Sequence, residues 1–177
     1  MFRDTRQVLA LLACAGVLAA VLGQLNHALA PLALTVSAPG LLVAFAALRL
    51  PAGTGLAVVF CTGLWLDAAA PTPFGRQAAL LGLAFCFLHN AARRLPREET
   101  LVGVVSALFV NLALFVVLAV VDLGSLPDTP SGALRLLADL IVSQVFTTLV
   151  GPWFLALQRA ALDLAGVPPP AGARRPA

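Results

Sequence analysis

The sequence predicts an all-α protein: a polytopic membrane helix bundle with six transmembrane helices and both termini in the cytoplasm. Three observations lead there. Of 177 residues, 60% are hydrophobic and 11% charged, where soluble globular domains carry about a quarter charged residues, and the mean hydropathy is +0.98. Apolar runs close to the roughly 20 residues that cross a bilayer recur along the whole chain. The arginines beside them fall mostly on one side.

Six candidate spans cover about residues 8–30, 34–50, 54–70, 74–92, 100–122 and 133–161. The first follows a basic start, as in a signal peptide, but its apolar run is long and no polar mature domain follows, so it reads as a retained helix. The second is interrupted by Pro39 and Gly40; without it the count falls to five. The third and fourth are joined by "DAAAPTPFGR", residues 67–76, and the fourth and fifth by the charged "RRLPREE". The bundle is expected to occupy residues 1–165. Residues 166–177, rich in Pro and Arg, read as a disordered cytoplasmic tail.

Arginine placement tests the count. All eleven basic residues are arginines, and cytoplasmic loops next to helix ends are enriched in Lys and Arg. With the N-terminus inside and six spans, Arg3, Arg6, Arg49, Arg93, Arg94, Arg97, Arg159, Arg174 and Arg175 lie on the cytoplasmic side. Only Arg76 and Arg135 lie outside. A five-span chain would separate the N-terminal arginines from the "RRLPREE" cluster, so the charges favour six.

Such short basic clusters form no face for nucleic acid, and none is expected as a partner. Membrane lipid is the expected surroundings. Cys14, Cys61 and Cys86 sit singly within apolar runs and read as small hydrophobes.

Residues four apart share a helix face, and small ones there allow close packing in lipid. The expected stripes are Gly16, Ala20 and Gln24 with His27 in the first span, and Gly55, Val59, Gly63 and Asp67 in the third. Ala78, Gly82, Cys86 and Asn90 follow in the fourth, and Gly103, Ala107 and Asn111 in the fifth. The sixth carries Arg135, Asp139, Ser143, Thr147 and Gly151. Of these, Asn111, Asp139, Ser143 and Thr147 are the polar groups expected to face the bundle. The stripes serve either as helix seams or as the lining of a substrate cavity.

An aspartate at a helix centre costs about 2.5–3.5 kcal/mol on insertion scales, so Asp67 is expected near the outer end. Pro71 and Pro73 stop one helix there, Gly75 allows the reversal and Arg76 starts the next, which offers Asp67 and Arg76 a pairing across the hairpin. Arg135 and Asp139, one turn apart, offer another.

Nothing points to catalysis. The sequence holds no nucleotide-binding Gly-rich loop, no H-E-x-x-H and no G-x-S-x-G. His27 and His89 stand apart, a poor basis for a metal site. We expect neither enzymatic activity nor a cofactor.

The stretch "GLAVVFCTGLWLDAAAPTPFG", residues 55–75, resembles the rod shape-determining protein MreD family. That family's pattern is a glycine-spaced helix ending G-[LF]-[LW]-x-D, a short small-and-proline loop, then [LF]-G opening another helix. Gly63, Leu64, Asp67, Phe74 and Gly75 match in order. Arg76 departs from the apolar or histidine-containing continuation, and the match is specific over about 20 residues. The resemblance implies a non-enzymatic scaffold of the bacterial cell-elongation and peptidoglycan-synthesis machinery, multi-pass in the inner (cytoplasmic) membrane. It implies MreC as the direct partner and, through it, RodA, a penicillin-binding transpeptidase and MreB. Gly63, Asp67, Phe74, Gly75 and Arg76 would form the hairpin and its partner-facing end. The alternative is a chain similar to the substrate-binding membrane components of energy-coupling-factor vitamin transporters, which share its length and helix count.

Overall fold

The computed structural model describes residues 2–69, 73–92, 100–122 and 130–166. They form six α-helices: α1 (Phe2–Leu29), α2 (Pro39–Arg49), α3 (Ala52–Ala69), α4 (Arg76–Ala91), α5 (Thr100–Asp122) and α6 (Pro130–Leu164), with a short 3-10 turn at Ala30–Leu32. No strand occurs among the described residues. The expected tail from 167 onward, the "RRLPREE" arginines and Pro71 lie outside the described residues.

Four helices, α1, α3, α5 and α6, are long and apolar enough to cross a membrane. The molecule is a membrane protein. Its exterior agrees: Leu83, Phe87, Leu101, Val120, Leu149 and Trp153 are all exposed, a surface that lipid accepts and water would not.

The second expected span is not one helix. Its helical part, α2, has 11 residues, about 16 Å of length against a hydrocarbon core of about 30 Å. Residues 34–38 run before it without helical structure. The sequence carries the reason: Thr35 and Val36 favour extended backbone, and Pro39 sits at the first turn, where its missing N–H costs nothing.

α2 is the axis of the bundle. Every residue from Gly40 to Leu48 is buried, with α3, α4, α5 and α6 packed around it. A helix apolar all round is one with neighbours on every side. It approaches α5 so closely that a Cβ on Gly40 would lie 2.3 Å from the Ala107 carbonyl oxygen. Only glycine fits there.

The remaining helices correct some expected faces. In α3, Gly55, Val59, Gly63 and Asp67 are buried; in α5, so are Gly103, Ala107 and Asn111; in α6, Asp139, Ser143, Thr147 and Gly151. In α1, however, Ala20, Gln24 and His27 are exposed, and the inward face is Gln7, Leu11, Cys14, Ala15 and Leu18. In α4, Cys86 and Asn90 are exposed while Ala78, Leu81, Phe85 and Leu88 are buried. Both helices bury large side chains, those of α4 against α2, α3 and α5 and those of α1 against α3 and α6, filling space that small ones would leave empty.

Candidate functional site

Two hydrogen-bonded polar clusters stand out, one where α4 starts beside the end of α3 and one where residues 34–38 lead into α2.

Asp67 begins the first cluster. It is 3% exposed, and its carboxylate accepts three backbone N–H groups: Gly75 at 3.1 Å, Gln77 at 2.8 Å and Ala78 at 3.0 Å. The first turn of any helix leaves N–H groups without partners, a need the residue before it usually meets with its own side chain. Here that residue is Gly75, which has none. Asp67 of α3 therefore caps α4 from outside, and its charge lies at the positive end of the α4 dipole. Gly75 has φ +92°, left-handed backbone that glycine adopts without strain. One turn back along α3, a Cβ on Gly63 would lie 2.4 Å from the Ala78 Cα. Gly63 admits α4 and Asp67 fastens it.

This cap alters the pairing expected from the sequence. The charge of Asp67 is met by oriented main-chain donors. Arg76, half-buried, opens α4, and Phe74 stands 72% exposed at the turn.

The second cluster holds the extended segment. Thr35 donates its N–H and hydroxyl to the two Asp139 oxygens at 2.8 and 2.9 Å. The Ser37 N–H donates to the Ser143 hydroxyl at 3.0 Å. Asn26 of α1 treats Val36 as a neighbouring strand would: its Nδ2 donates to the Val36 carbonyl at 3.0 Å and its Oδ1 accepts the Val36 N–H at 2.7 Å. The geometry is set by two periods. Successive N–H groups of an extended chain point to opposite sides, and alternate residues are about 6.6 Å apart. Residues four apart on a helix are about 6 Å apart on one face. Asp139 and Ser143 can thus match Thr35 and Ser37, while Asn26 serves Val36 from the other side. Asp139 is committed to Thr35, and Arg135, expected to bridge it, is exposed.

Asn26, Thr35, Val36 and Ser37 were not among the expected site residues. The signal was there: "TVSAPG" combines two β-branched residues with a helix-start Pro. The hydrophobicity of residues 34–50 concealed it.

Between the two clusters lies a cavity of about 280 Å³, lined by Ser37 and Pro39 at the start of α2, Gln77 of α4, Leu136 of α6, and a face of α5 running from Asn111 to Ala119. Asn111 is 4% exposed. Thr147, deeper on α6, is fully buried with its hydroxyl unpartnered among the described residues.

No family model, curated protein or solved structure matches the chain.

Proposed function

We propose that the protein is a non-enzymatic scaffold of the bacterial inner membrane that docks MreC and, through it, the elongation machinery of RodA, a penicillin-binding transpeptidase and MreB. The observation that carries this reading is that the matching residues Gly63, Asp67 and Gly75 act as one hydrogen-bonded, closely packed hairpin around Ala78. A motif whose members lock one another is the kind that a fold depends on. With the Asp67 carboxylate turned inward, the part of the hairpin offered to a partner is Phe74, exposed beside Arg76. An exposed apolar ring with a cation two residues on suits the membrane interface, where a single-span partner emerges.

The topology that goes with it has six passages and cytoplasmic termini. The reading takes residues 34–38 together with α2, about 16 Å of helix, as the sixth passage. The nine-to-two arginine asymmetry supports this orientation.

The test is co-purification in mild detergent of the tagged chain with the MreC of its own genome, read by native mass spectrometry. Stoichiometric retention, lost in Phe74→Ala while the melting temperature holds, is the expected result. No retention of MreC by the intact chain would overturn the reading.

A second reading, a substrate-binding component of an energy-coupling-factor type vitamin transporter, is favoured by one observation: the cavity at the start of the broken span. Discontinuous helices frame substrates in transporters. Retention of a coupling subunit in place of MreC would select it.

A further inference from the structure

We infer that the cavity between α2, α4, α5 and α6 is a binding site for a small, neutral, amide-bearing amphiphile, held by Asn111 at its inner end. The proposal stands apart from the scaffold reading and does not need it.

Asn111 lies midway along α5 and is 96% removed from solvent, yet no hydrogen bond among the described residues engages its amide, which borders the cavity. Its amide is not sealed in protein but reaches the cavity, where it can bond what fills it. A ligand able to give and accept matches both of its groups. The start of α2 is beside it, with Gly40 packed against the Asn111 Cβ. The inner end favours a ligand carbonyl oxygen, to which the Asn111 Nδ2 donates, and an N–H, which the Asn111 Oδ1 accepts. Gln77 and Ser37 add further neutral hydrogen-bonding groups.

Among the described residues no charged side chain lines the cavity, so a full charge on the ligand would be buried unpaired at large cost. The head is neutral. From Asn111 the α5 face continues through Leu114, Phe115, Leu118 and Ala119, positions that repeat at helical spacing and make an apolar wall for a short chain. About 280 Å³ is nearly twice the roughly 150 Å³ that accepts a benzene ring. A medium-length acyl amide fits the size and the chemistry, whether cut from a lipid or arriving free from water.

The probe is octanamide with a photoreactive diazirine near its tail, applied to the full chain in phosphatidylcholine nanodiscs and mapped by peptide mass spectrometry. We expect labelling at the cavity-lining Leu114, Phe115, Leu118 or Ala119 that plain octanamide competes away and octanoate does not. Asn111→Leu should weaken the competition about tenfold, near the upper end for one hydrogen bond. Ala119→Phe, which puts a ring into the cavity wall, should abolish labelling while the melting temperature stays that of the wild type. If Asn111→Leu does not fold, the octanamide-against-octanoate contrast in the wild-type chain decides. Labelling that no amide competes, that octanoate competes equally, or that spreads to the lipid-facing Val116 and Val120 overturns the proposal, as does a cavity that holds only water. Solvent extraction of the protein purified from its own membranes separates the sources: an acyl amide of lipid origin or a water-soluble amide.

Discussion

Thr35 donates twice to Asp139, from its N–H and from its hydroxyl, across 104 positions of sequence. With Asn26 on the opposite side of the chain, this contact meets the backbone groups of a non-helical segment that buries Val36 and Ala38 against the bundle while Thr35 and Ser37 stay exposed.

Removing one side of that arrangement should expose one residue. Asn26→Ala leaves the N–H and C=O of Val36 unmet, a loss of about 1–3 kcal/mol for each group that stays dry. Hydrogen exchange in nanodiscs should show the Val36 amide accelerated while Thr35 and Ser37, held from α6, change little. Equal acceleration at all three would mean that the segment is held as a unit.

Asp139→Asn tests the other side. The amide keeps one acceptor oxygen for the two Thr35 donors and turns an NH2 group toward one of them. We expect destabilisation of about 1–3 kcal/mol, from a lost charge-assisted bond and a mismatched donor. Thermal unfolding in detergent measures it.

The α4 cap predicts that charge is needed at Asp67 and that a cation cannot serve. Asp67→Asn should cost about 1–2 kcal/mol, the upper range for an N-cap. Asp67→Arg should prevent assembly, and adding Arg76→Asp should not restore it, because the partners of Asp67 are the N–H groups of Gly75, Gln77 and Ala78. Recovery of folded protein in the double exchange would show that an ion pair dominates after all.

Two glycine substitutions should differ sharply. At Gly63 a methyl group would meet the Ala78 Cα at 2.4 Å, whereas at Gly53 there is nothing within 4 Å. Gly63→Ala should destabilise by about 1–3 kcal/mol through forced separation of α3 and α4. Gly53→Ala should be neutral or stabilise by up to about 1 kcal/mol. Comparison of the two melting temperatures checks this directly.

Composition and the length of apolar runs determined the membrane class and the all-helical fold, since a bilayer leaves a chain this apolar few other structures. Spacing at four residues marked the buried faces of α3, α5 and α6, where glycine and polar side chains stand out against leucine and valine. It failed for α1 and α4. Their outward faces also carry small or polar residues, and lipid accepts large apolar side chains on either face, so no contrast in hydrophobicity reports which side is inward. The motif from Gly63 to Gly75 was legible as a reversal, but its bonding was not: carboxylate to arginine and carboxylate to main chain look alike until α4 is placed against Gly63. The division of residues 34–50 into an extended run and a short helix was decided only by tertiary structure. Its backbone groups find partners on Asn26, Asp139 and Ser143, and no local pattern brings those side chains to Thr35, Val36 and Ser37.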